Sequence, residues 1–202
     1  MSAQSIAPGL LLALPQLRDP NFERSVVLML EHNEDGAFGL IVNHPTEMRL
    51  SELLDGAGIA VDALARDATI WTGGPVLPGD QEPLGLILYR PDGSMIPGTA
   101  DEPGDGHVTT DLALYPLPAD LSILDALLSE PPDRVRFLLG YSGWGPGQLE
   151  RELAAGAWLV GEASADLVFN TPCEDMWDAA VRELGIDPAA LANLVPGSGE
   201  LN

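Results

Sequence analysis

The sequence predicts one α+β, or mixed α/β, domain, and three observations carry that prediction. The chain has 202 residues, enough for a single core and short of the length that usually splits in two. Short apolar runs bounded by Gly and Pro fill the first half, whereas helical spacing gathers in the second. Apolar residues make up 46% and charged residues 20%, a balance that lets a water-soluble chain bury a core. No linker divides the chain, and the 91–111 stretch reads as a long surface loop.

Three stretches share a pattern: GLLLALP (9–15), GLIVNHP (39–45) and GLILYRP (85–91). Each is a Gly, an apolar run and a closing Pro, which reads as a short internal strand. RSVVLMLEHNEDGAFGLIVN (24–43) reads as a β-hairpin turning at Asp35-Gly36. MRLSELL (48–54) reads as a short helix, ATIWTG (68–73) as a strand before the turn GGPVLPGD, and HVTTDLALY (107–115) as another strand. ADLSILDALLSE (119–130) carries Leu121, Leu124, Leu127 and Leu128 at helical spacing. RVRFLLGY (134–141) is a predicted strand, and PGQLERELAAG (146–156) a helix opened by Pro146 and closed by Gly156. AWLVGE and ADLVFN read as further strand, PCEDMWDAAVRELG (172–185) as a helix, and DPAALANL (187–194) as a short last one.

Charge excludes several functions. The formal net charge is −22, and all nine bases are Arg. Without Lys there is neither a Walker-type phosphate loop nor a pyridoxal phosphate Schiff base. Scattered Arg in a strongly acidic chain repels polyanions, so direct nucleic-acid binding is not expected. No apolar run approaches the ~18 residues of a membrane span. The start MSAQSIAPGLLLALPQL lacks a basic flank and a cleavage pattern, so a cytoplasmic location is expected. Cys173 is the only cysteine, which excludes an internal disulfide. Thr171 and Glu174 read as a capping box that places Cys173 in a first helical turn, where the dipole would lower its pKa and Glu174 with Asp175 would raise it.

GYSGWGPGQLEREL (140–153) concentrates glycine where a strand meets a helix. A dinucleotide fingerprint fails, because the third Gly would fall on Gln148 or Glu150. A nucleophile elbow at Ser142 fails at Trp144, and His32, His44 and His107 all precede Ser142. Anion binding at the helix start survives without a specific motif. The competing reading is a tight strand-to-helix turn over residues 142–145, plugged by Trp144 and capped by Gln148. Elsewhere, His32 with Glu31, Glu34 and Asp35 could ligate a metal, although a solvated hairpin turn is the commoner case. Asp101, Glu102, Asp105, His107 and Asp111 lack calcium-loop spacing. Arg134 and Arg136 share a strand face and could bind a carboxylate or pair with the abundant acids.

APGLLLALPQLRDPNFERSVVLMLEHNEDGAFGLIVNHP, WTGGPV (71–76), FLLGYSGWGPGQLEREL (137–153) and WDAAVRELGIDPAAL (177–191) together resemble the bacterial YqgE/AlgH family over about residues 6–195. The resemblance implies a bifurcated or barrel-like mixed sheet surrounded by helices. Members are often labelled transcriptional regulators, and no enzymatic activity carries across. Motif residues that are polar or lie at the turns become candidates for a shared ligand site: Asn21, Ser25, His32, Asn43, Gly73, Gly74, Tyr141, Trp144, Gln148 and Glu150. The expected function is therefore a regulatory or interaction domain that binds a protein or small ligand, as a monomer or weak homodimer, with no metal or cofactor. The alternative is an enzyme, such as a hydrolase, using Glu150 or His32 as base.

Overall fold

The computed structural model describes residues 5–59, 67–79, 85–91, 108–109, 111–117, 121–129 and 134–192. The strands are β1 (Gly9–Ala13), β2 (Val26–Asn33), β3 (Gly36–Ile41), β4 (Pro45–Arg49), β5 (Thr69–Thr72), β6 (Gly85–Tyr89), β7 (Ala113–Leu117), β8 (Val135–Leu139), β9 (Ser142–Trp144) and β10 (Trp158–Gly161). The α-helices are α1 (Leu50–Gly56), α2 (Leu121–Ser129), α3 (Gln148–Ala154), α4 (Ala165–Asn170), α5 (Cys173–Glu183) and α6 (Pro188–Ala192), with a 3-10 turn at Pro20–Phe22.

The strands form two five-stranded sheets, in the orders β10-β1-β2-β3-β9 and β4-β5-β8-β6-β7. Every pair is antiparallel except β5 with β8. Neither sheet closes on itself among the described strands, so the molecule is branched rather than barrel-like. The first sheet draws on residues 9–41 and 142–161, and the second lies wholly between residues 45 and 139.

Three apolar clusters organise the layers. Leu10, Leu12, Leu28 and Leu40 of the first sheet meet Leu88 and Leu138 of the second, together with Val168, Met176, Trp177 and Val181 of α4 and α5. On the opposite face of the first sheet, Leu11, Val27, Met29 and Ile41 pack with Trp144, Leu149 and Trp158. The second sheet buries Ile70, Ile87 and Phe137 against Leu50, Leu54, Leu124, Leu127 and Leu128 of α1 and α2. β1 is buried at all five positions, as its apolar run predicts.

Several local expectations need correcting. ADLVFN is helix α4, because Ser164 accepts from the Leu167 N–H and nucleates a turn. Ser142–Trp144 is strand β9, paired with Ala37–Gly39 of β3, where a bare turn was expected. Residues 45–49 form β4, so the helix expected from Met48 starts only at Leu50. Thr171 does not cap α5; Pro172 takes the cap position without a side-chain hydrogen bond. The strand expected from His107 starts at Ala113, and His107, Asp101, Glu102 and Asp105 lie outside the described residues.

Candidate functional site

The motifs meet where the two sheets branch. Ile41 N–H donates to the Gly73 carbonyl at 2.8 Å, and Gly73 N–H donates to Leu139 O at 2.8 Å. Val76 and Tyr141 exchange backbone hydrogen bonds of 3.0 and 2.9 Å. Here backbone lies on backbone. A Cβ on Gly73 would strike the Gly140 carbonyl, and one on Gly74, whose φ is +152°, would strike Tyr141. Gly73 and Gly74 therefore serve the crossing of two chain segments. Ser142 is fully buried and donates its Oγ to Gly73 O at 3.2 Å, which leaves it no route to a substrate.

Asn43 is also committed to the fold. Its Oδ1 accepts from Val26 N–H at 2.8 Å and its Nδ2 donates to Arg24 O at 3.0 Å, which extends the β2–β3 pairing by side chain. Ser25 is fully buried, and its Oγ has no hydrogen-bond partner. Tyr141 stacks obliquely on Phe38, with ring centroids 5.0 Å apart.

His32 and Glu150 come together from distant motifs, with Nε2 and Oε1 3.1 Å apart. Ile6 N–H donates to His32 Nδ1 at 3.3 Å, which puts the ring proton on Nε2, facing Glu150. The His32 side chain is 4% exposed. Both ring nitrogens are engaged, so His32 offers no free acceptor to a substrate and does not face the acids of the hairpin turn. Glu150 is held below its ordinary pKa, first by its own backbone N–H and then by His32.

Glu152 is a hub that the sequence did not single out. Its Oε2 accepts from Trp144 Nε1 at 2.9 Å and from Trp158 Nε1 at 2.8 Å, and its Oε1 accepts from Gln148 Nε2 at 2.9 Å. Gln148 Oε1 accepts from Gly145 N–H at 3.2 Å, ahead of the helix, while Gly147 takes the cap position of α3 without a side-chain hydrogen bond, so Gln148 does not cap the helix as expected. The two indoles meet edge to face at 5.9 Å, and Phe22 packs edge-on against Trp158 at 5.4 Å. Helical spacing places Gln148 and Glu152 on one side of α3 and was the available signal for this network.

Arg136 is 6% exposed and meets no carboxylate among the described residues. It donates to Val42 O and Val168 O and lies over the Trp71 ring, 4.1 Å from its centroid. Burial pushes its pKa down to about 10. Cys173 donates to Glu174 at 3.2 Å, and burial, then Glu174, pushes its thiol up. That environment disfavours thiolate chemistry.

A cleft of about 490 Å³ lies between the 13–24 segment and α5. Ala13, Leu14, Leu17 and Trp177 give it an apolar floor, and Arg18, Asp19, Glu23 and Arg24 bring charge. Two of these charges are satisfied within the protein. Asp19 accepts from Asn21 N–H and Nδ2, both at 2.9 Å, which also fixes Asn21. Arg24 pairs with Asp178 and lies 4.5 Å from the Trp177 ring centroid. Its φ of +51° is the one positive value at a described non-glycine residue. Arg18 and Glu23 are exposed and form no ion pair with each other, and Glu23 lies within electrostatic reach of His44. A second cleft, of about 340 Å³, lies between β10 and the end of α5, lined by Leu10, Leu12, Gly161, Glu162, Ala180, Glu183 and Leu184. Gln148 and Glu150 line neither cleft.

No described helix is long and apolar enough to cross a membrane. The UPF0301 protein of Myxococcus xanthus is 42% identical over 193 residues, covering 93% of this chain and 96% of its own. That of Photobacterium profundum is 38% identical over 187 residues, covering 90% and 93%. The solution structure of the AlgH protein from Pseudomonas aeruginosa superposes with a TM-score of 0.68 at 28% identity, over 95% of this chain and 97% of that one. The crystal structure of protein DIP2367 from Corynebacterium diphtheriae shares the fold, with a TM-score of 0.64 at 20% identity over 95% and 92%. The family model described as AlgH-like matches residues 10–189, and the chain belongs to the AlgH-like family.

Proposed function

We propose that the chain is a non-catalytic regulatory binding domain whose ligand occupies the cleft between the 13–24 segment and α5. One observation carries this reading: Arg18 and Glu23 bring opposite charges to a cleft with an apolar floor without forming an ion pair with each other. A ligand matching that arrangement carries an anionic group, a cationic group and an apolar body, as an α-amino acid with a large apolar side chain does. The cleft volume of about 490 Å³ suits such a molecule. The positive φ of Arg24 supports the reading, since backbone strain gathers at binding sites.

The hydrolase alternative loses its parts. His32 has both nitrogens engaged, Ser142 is sealed, and Glu150 is paired with His32. The −22 charge argues that any regulatory role runs through ligand and partner rather than through contact with DNA. Thermal shift with L-phenylalanine tests the proposal against phenethylamine, which lacks the carboxylate, and 3-phenylpropionate, which lacks the ammonium. The expected result is a concentration-dependent rise in Tm with L-phenylalanine alone, abolished in both R18Q and E23Q. Equal shifts from all three compounds, or none up to millimolar concentration, would refute it.

A further inference from the structure

We propose that the outer edge of β10 docks an extended, basic segment of a partner protein. In the sheet order β10 is terminal, with β1 on one side and no described strand on the other. Its register with β1 sets Leu159 and Gly161 on the face of Leu12 and Leu10, and Val160 on the opposite face. Val160 is 43% exposed and Leu184, at the end of α5, is 37% exposed. An incoming strand completing the β10 hydrogen bonds would alternate its side chains in the same way. One set would lie beside Val160, and the other over the cleft of about 340 Å³.

That cleft fixes the chemistry of the occupant. Leu10, Leu12, Ala180 and Leu184 accept the stem of a long side chain, and Glu162 and Glu183 stand ready for its charged end. Neither carboxylate has an ion pair or side-chain hydrogen bond with a described residue, and no basic residue lines the cleft. A Lys or Arg side chain satisfies both features. A second copy of this chain is a poor occupant, because it brings a net charge of −22 and no Lys. The preferred segment therefore alternates apolar and basic residues and comes from a protein of opposite charge. This inference is independent of the ligand proposed for the first cleft.

Fluorescence anisotropy with a labelled peptide of about eight residues alternating Val and Lys tests it. The wild type is expected to bind, more weakly as salt rises, and to ignore the Val–Glu counterpart. E162Q/E183Q should weaken binding about five-fold. E47Q/D55N removes the same charge from exposed positions elsewhere and should leave binding unchanged. A Cβ on Gly161 would meet Leu10 and Leu184 at 3.8 and 3.9 Å, so G161V fits the fold while narrowing the cleft, and it should weaken the peptide too. Hydrogen exchange should slow at Trp158–Gly161 when the peptide binds. Equal weakening by the two double variants, or unchanged exchange along β10, would overturn the proposal.

Discussion

Arg136 shows how much a single side chain can hide from sequence reading. Its strand position suggested a bound carboxylate or pairing with the chain's own acids, yet it ties Val42, just past β3, to Val168 of α4 through their carbonyls. A planar fork reaches two carbonyls and stacks on Trp71, whereas an ammonium does neither well. R136K is therefore expected to cost about 2 kcal/mol in urea denaturation. Asp111 is a second such tie. Burial raises its carboxyl, but hydrogen bonds from Thr109 Oγ and Ala165 N–H, with Arg90 nearby, outweigh this and lower its pKa below 3.8. A depressed carboxyl stabilises the fold above its unfolded value and loses that effect as pH falls through its folded value. D111N should thus lower Tm at neutral pH, and the gap from wild type should close below pH 3.8 as the wild-type Asp111 carboxyl is protonated. The pairing of His32 with Glu150 was not legible, because it joins residues 118 positions apart.

Hairpin β2–β3, helix α5 and strand β1 were legible because local pattern and tertiary role agree in each. α4 was not, since ADLVFN is too short and apolar to show a period, and its Ser164 cap decided the matter. β4 escaped notice because its burial is slight and no alternation marks it. The glycine-rich stretch was half legible. Freedom of backbone was evident, but the segment it must pass, Gly73–Gly74, was not. G74A is expected to cost more than about 3 kcal/mol or prevent folding, whereas G145A, whose Cβ meets nothing within 4 Å, should be near neutral. Thermal melts of the two variants check this. On α3, E152Q turns the acceptor toward Gln148 into a donor and should cost about 1 kcal/mol, with a change in Trp fluorescence as a neutral amide oxygen replaces the carboxylate that holds the two indoles.

Across the whole molecule, the largest apolar cluster takes residues from both sheets and from α4, α5 and α6. Calorimetry should therefore give one unfolding transition, and separate transitions for the two sheets would contradict a shared core. The family was legible because its motifs sit where backbone crossings permit few substitutions. The clefts were not, since each joins segments far apart in the chain. The nesting of the second sheet between β3 and β9 also sets a timetable. During synthesis, β1, β2 and β3 leave the ribosome first, then every strand of the second sheet, and only afterwards β9 and β10. The inner sheet is complete while the outer one still exposes both flanks of its first three strands. A nascent chain stalled after Leu139 would hold all the described strands of the second sheet while β1 and β3 still lack their outer partners, so both flanks stay open to mispairing until β9 and β10 emerge.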